Sequence, residues 1–148
     1  FYGEGCTIAL LTTTANTNSS AIASTTVTYT NIKGVSGRTA RLTAIAGSQI
    51  PASPVVGTIV WFNLEGGDTG VQSIQGITLG TSLVAGAVSL MICRPIATVG
   101  TLAATVASRK EIGEPGISLG VGVCMLHCYL ASATTATYCT GDLTIMEK

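Results

Sequence analysis

The side chains that could do chemistry are few in this chain, and the densest group of them is Cys124-Met125-Leu126-His127-Cys128. A C-x₂-H-C cluster invites a zinc or thiol-nucleophile reading. Strand geometry argues against both. In an extended segment rising ~3.3 Å per residue, Cys124 and Cys128 share one face about 13 Å apart, while His127 points to the other. Tetrahedral zinc needs ligands about 2.0–2.3 Å from one point, which a single strand cannot supply from these three. The face carrying Cys124, Leu126, Cys128 and Leu130 reads as core. The opposite face, with Val123, Met125, His127 and Tyr129, reads as a half-buried or contact surface. His127 is the only histidine, and neither G-x-S-x-G nor H-E-x-x-H occurs.

The carboxylates offer little more. Glu65 and Asp68 flank Gly66-Gly67, but a glycosidase pair must be held across a cleft and a calcium site needs six to eight oxygens. A hairpin turn accounts for these four residues. The glycines from Gly116 to Gly122 do not make G-x-G-x-x-G and lead into a strand, so they form no dinucleotide fingerprint. Asn18-Ser19-Ser20 matches a glycosylation sequon, which matters only in a secreted eukaryotic chain. The aromatics are scattered at Phe1, Tyr2, Tyr29, Trp61, Phe62, Tyr129 and Tyr138, with no cluster suited to a sugar platform. Trp61 reads as a core or interface anchor. The expectation is a chain that is not an enzyme and carries no metal or cofactor.

The elements that must position these residues are strands. No segment keeps a 3.6-residue period over helical length. Runs rich in Thr, Val and Ile, bounded by Gly, Pro, Asn or Asp, predict strands at 7–14, 25–31, 38–46, 58–65, 71–79, 87–94, 121–131 and 137–146. About eight short strands in 148 residues predict a single all-β domain over 1–148, an antiparallel β-sandwich of jelly-roll type. In 87–94, Val88, Leu90 and Ile92 share one side and Ser89, Met91 and Cys93 the other. In 58–65 both sides are apolar, since Val60, Phe62 and Leu64 oppose Ile59 and Trp61. That pattern requires something to cover the outer side. Residues 16–24 read as an early loop or, with 1–5, as an extended N-terminal arm within 1–24. The stretch 101–118, with Arg109-Lys110-Glu111 and Glu114, reads as a long exposed loop and a contact element.

Composition narrows the function classes. Only 9% of residues are charged, and seven basic side chains balance seven acidic ones, against about 25% charged in ordinary domains. Freely diffusing proteins keep charge on their surfaces to oppose association. This chain takes its polarity from Thr, Ser, Asn and Gly, which are cheap to bury against a neighbour. With no basic patch it is not expected to bind nucleic acid. The apolar stretch 83–106 is broken by Arg94-Pro95 and by Ser and Thr, so a membrane span is not expected either. No signal peptide is visible, and a start at Phe1 rather than Met points to a longer or processed gene product. Five cysteines, Cys6, Cys93, Cys124, Cys128 and Cys139, are an odd set without CxxC. Free thiols acting as small core hydrophobes are expected, as in a reducing cytoplasm.

One segment carries a resemblance. Residues 71–97, VQSIQGITLGTSLVAGAVSLMICRPIA, combine a strand, a Gly/Thr/Ala turn and an apolar strand ending in Arg94-Pro95-Ile96-Ala97. In this they resemble the capsid decoration, or cement, proteins of tailed bacteriophages. The resemblance covers under a fifth of the chain. It implies a jelly-roll-like domain, a homotrimer or homodimer, placed on the virion's capsid surface and bound to the major capsid protein lattice. An arm such as 1–5 or 16–24 would then thread along the shell. Contact residues under this reading are Phe1, Tyr2, Trp61, Arg109, Lys110, Glu111, Glu114, Val123, Met125 and Tyr129. The alternatives are a carbohydrate-binding module of a tail fibre or adhesin, and an extracellular filament subunit.

Overall fold

The computed structural model of the protein describes residues 3–42 and 49–95. Among them are six strands and no helix: β1 (Thr7–Thr14), β2 (Thr26–Asn31), β3 (Arg38–Leu42), β4 (Ile59–Asn63), β5 (Val71–Thr78) and β6 (Ala87–Cys93). These are the first six of the expected strands, each within a few residues of its expected bounds. Those expected at 121–131 and 137–146 lie outside the described residues, as do residues 43–46 of the third. All pairings are antiparallel, and the spatial order is β5-β2-β3-β4-β1-β6. The sheet curls until its two edge strands approach one another, so it is nearly closed.

Alternation decides which side faces in. In β2, Val27, Tyr29 and Asn31 are buried while Thr26, Thr28 and Thr30 stay half-exposed. This is the period-2 pattern of a strand with one solvated side. Ile8 and Leu10 of β1, Ala40 and Leu42 of β3, Phe62 of β4 and Val71 of β5 join Val27 and Tyr29 in the inner core, with Ile22 and Ile50 from the connecting segments. Burying a side chain of that size contributes about 1.5–3 kcal/mol. Val60, Leu64, Val88 and Leu90 pack at its margin, as their alternation predicts. Ile92 shares their side of β6 yet stays 43% exposed near the strand's end.

β5 departs from alternation, and the reason is tertiary. Its inward residues Val71, Ile74 and Ile77 are three apart. Opposite β2, Ile77 pairs with Val27, Ile74 with Tyr29 and Val71 with Asn31, and the register shifts twice between these pairs. Each shift places an extra residue on β5, a β-bulge. Two bulges in one edge strand sharpen its local twist, which bends the sheet toward closure.

The order β5-β2-β3-β4 is that of a Greek key: three strands in succession, then a fourth that returns beside the first. Residues 64–70 therefore cross one end of the sheet, above β3 and β2. Glu65-Gly66-Gly67-Asp68 does turn, with Asp68 N donating to Glu65 O at 3.0 Å and Gly67 at φ 87°. It is a turn inside a crossover, not the tip of a hairpin as expected, because β4 and β5 are not neighbours. This end, where β1 begins, is called the Thr7 end below, and the other the Thr14 end.

The gap between β5 and β6 is bridged at both ends. At the Thr7 end, residues 3–6 reach across to β5. Val71 N and Cys6 N donate to Gly3 O, Gly5 N donates to Thr69 O, and Glu4 forms an isolated bridge with Gly70. At the Thr14 end, residues 79–86 connect the two edge strands directly. Residues 16–24 also lie against the sheet. Ile22 is fully buried and exchanges backbone hydrogen bonds with Ile50 at 2.9 and 3.0 Å. From residue 3 to residue 24, the segment expected to supply an arm is thus anchored; Phe1 and Tyr2 lie outside the described residues.

Candidate functional site

The polar cluster with the most shared partners sits at the Thr7 end, where the Greek-key crossover passes over β2 and β3. Tyr29 points inward from the middle of β2, and its hydroxyl reaches the crossover. It donates to Asp68 Oδ2 at 2.6 Å and accepts from Glu65 N at 3.0 Å. Asn31 Nδ2 donates to the other Asp68 oxygen at 2.8 Å, and Arg38 Nε donates to Oδ2 at 2.9 Å. A second arm of the Arg38 guanidinium meets Glu65 at 2.9 Å, whose carboxylate also accepts from Thr39 N at 2.9 Å. Asn31 Oδ1 in turn accepts from Lys33 N and Val35 N, closing the β2–β3 turn.

The electrostatics follow from these contacts. Hydrogen bonds from Tyr29, Arg38 and Asn31 hold the Asp68 carboxyl well below the usual range, at about 2. Burial, then the hydrogen bond to Asp68, pushes the Tyr29 phenol up to about 12. Arg38 is driven further toward its charged form, chiefly by its bond to Asp68. Near neutral pH, Asp68 is a saturated acceptor with a weak pull on protons and Tyr29 is a committed donor. A general base or nucleophile needs a pKa near the working pH, and neither group is poised for that. What the cluster does chemically is pin the crossover to the two strands beneath it.

A second feature lies on the outer side of β4, β1 and β6. Trp61 is opposite Ala9, which is opposite Met91; beside them Ile59 faces Leu11, which faces Ser89. Ala9 is fully buried between its two large neighbours, and Ile59, Trp61, Leu11 and Met91 are half-buried. β4 is thus apolar on both sides, as expected, with Phe62 turned to the core and Trp61 to this outer row. The third feature is the Thr14 end, woven from residues 14–25, 49–58 and 79–87. Asn16 N donates to Pro54 O and Thr17 N to Ala85 O, and Asn18 Nδ2 donates to Ser82 O at 3.0 Å. The sequon asparagine is therefore occupied in tying two loops together.

Of the residues expected to make contacts, only Trp61 falls among those described. Phe1, Tyr2, Arg109, Lys110, Glu111, Glu114, Val123, Met125 and Tyr129 lie outside them, and so does the Cys124–His127–Cys128 cluster. Among the described residues, Cys6 and Cys93 form no disulfide. Tyr29 and Phe62 are core residues and Trp61 is half-buried in its row, so these three rings form no exposed platform. The Tyr29–Asn31–Arg38–Asp68 network was not anticipated. Its one local signal is a tyrosine on the apolar side of an alternating strand, since a buried phenol needs a partner. No group of three or more His, Cys, Asp or Glu side chains able to hold a metal occurs among the described residues. No helix among them is long and apolar enough to cross a membrane. In comparisons with known proteins, no family model, no curated protein and no solved structure matches the chain.

Proposed function

We propose that the chain is a non-enzymatic virion structural protein, a capsid decoration or cement subunit that binds the major capsid protein lattice and reinforces the head. The observation that carries this reading is the apolar outer row of Trp61, Ala9 and Met91. A strand apolar on both sides has one side for its own core and another for a neighbour. The scarcity of charge supports it, because lasting contacts spare the cost of desolvating ions. The polar network supports it too, since its groups are spent on bracing a crossover.

In this reading the Greek key of β2–β5 is half of a jelly-roll-like sandwich of about eight strands, the last two coming from 121–131 and 137–146. The subunit folds in the host cytoplasm and is carried on the virion surface as a homodimer or homotrimer, without nucleic acid, membrane or cofactor. Cosedimentation with undecorated capsids tests the proposal. The protein should pellet with the shells at micromolar concentration, and Trp61→Ala should weaken binding at least tenfold while the fold persists. Protein left in the supernatant would refute the shell reading.

A further inference from the structure

Residues 16–24 and residues 3–6 are both tied to the sheet, but by different chemistry. In the first, Ile22 is fully buried, as is its partner Ile50, and the two exchange backbone hydrogen bonds. Burying side chains of that size ties a segment to the stability of the core itself. The second segment reads Gly-Glu-Gly-Cys. Gly3 and Cys6 are half-buried, Glu4 and Gly5 are exposed, and none of the four is a large apolar residue. Two bonds cross to β5 at the isolated bridge between Glu4 and Gly70: Val71 N donates to Gly3 O at 3.2 Å and Gly5 N to Thr69 O at 2.9 Å. A third, from Cys6 N to Gly3 O, closes the segment on itself. Arg94, itself exposed, lies alongside Gly5.

The two crossing bonds contribute little net free energy, because water replaces them when they break. Against them stands the backbone entropy of fixing four residues, two of them glycines, which lose the most freedom. Gain and cost are of the same order. Docking of the segment therefore lies near balance, while the sheet as a whole is held by its core. Geometry narrows it further. Gly5, at φ 70°, takes the third place of its turn, where glycine is favoured. A Cβ on Gly3 would overlap Val71 O, so the segment docks along one backbone path only.

From this we propose that residues 3–6 are a latch, a unit that opens locally and releases β5 at Thr69–Val71 while the rest of the sheet stays folded. Shut, it caps Thr69 O and Val71 N, backbone groups that would otherwise stand open at a sheet edge. Open, it bares both. The side chain of Val71 stays in the inner core, held by the pairing of Val71 with Asn31 of β2. The latch thus controls access to the edge of β5 without any change in the core.

Native-state hydrogen exchange of the full chain, read amide by amide by NMR across low urea concentrations, tests it. The amides of Gly5, Cys6 and Val71 should exchange together, with protection roughly a hundredfold or more below that of Leu10, Val27 and Ile22. Their rates should hardly respond to urea, because the opening exposes little surface, whereas those of the core amides should rise steeply. Val71 is the decisive amide. Its side chain is 1% exposed, so it would follow Val27 if the latch were part of one cooperative fold. Gly3→Ala should abolish protection at these three amides and leave Leu10 and Val27 protected, with the strand signal in circular dichroism retained. Val71 protected as strongly as Val27 would overturn the proposal. So would fast exchange at Gly5 and Cys6 without Val71, or a Gly3→Ala chain that unfolds outright. None of these outcomes depends on whether the chain binds capsids.

Discussion

The hydroxyl of Tyr29 lies 2.6 Å from a carboxylate oxygen of Asp68, 39 positions further along the chain. That bond joins the inner side of β2 to the crossover that sets β5 beside it. The two residues therefore titrate as one structural unit, and the fold's response to pH should show it.

On the acid side, Asp68 has a folded pKa of about 2 against roughly 3.9 in an unfolded chain. A depressed carboxylate contributes stability that is present above the unfolded value and lost as pH falls through the folded one. Urea midpoints should therefore drop between about pH 4 and pH 2. Asp68→Asn should lower stability near neutral pH and flatten this acid limb.

On the alkaline side the sign reverses. Tyr29, at about 12 when folded against roughly 10 when unfolded, contributes stability that is complete below pH 10 and lost as pH rises toward 12. Absorbance titration near 295 nm should show one of the four tyrosines ionising late. Tyr29→Phe should remove that late step and cost about 1–2 kcal/mol at neutral pH, because Asp68 and Glu65 N each lose a partner.

Closure at the Thr7 end depends on two backbones in close approach. A Cβ on Gly70 would overlap Gly3 O and crowd Ile32, and one on Gly3 would overlap Val71 O. Gly70→Ala should lower the unfolding free energy by about 1–3 kcal/mol, as overpacking does. Gly76→Ala, with open space around its Cβ, should be neutral or slightly stabilising, since it trims the unfolded chain's freedom. Matched urea titrations of the two variants would decide the point.

The bulged register of β5 gives a separate test. Simple alternation from Val71 would turn Ser73 and Gln75 inward, whereas the structure packs Ile74 against the core and leaves Gln75 exposed. Ile74→Ala should cost about 2 kcal/mol, and Gln75→Ala less than about 1 kcal/mol, the worth of an exposed hydrogen bond. Equal costs, measured by thermal or urea unfolding, would contradict the register.

Much of the architecture was legible residue by residue. The stretch TVTYTN alternates in side-chain type, TIALLTTT is a run of β-branched and apolar residues, and turn formers lie at or just beyond their ends; such signals act within a few residues. They locate a strand whatever it pairs with. The double-sided apolar character of β4 was legible for the same reason. The hairpin expected at Glu65–Asp68 failed because a Gly-Gly turn looks alike in a hairpin and in a crossover.

The sequence by itself thus determined that the chain is β-rich, poor in charge and divided into short strands, because those properties are sums over neighbouring residues. The tertiary structure alone decided three things. The order β5-β2-β3-β4-β1-β6 depends on pairings between segments far apart in the chain. The three-residue spacing of Val71, Ile74 and Ile77 makes sense only against the two-residue spacing of Val27, Tyr29 and Asn31 across the ladder. The network around Asp68 draws its donors from β2 and β3, whose positions beneath the crossover follow from the Greek key and from no local pattern.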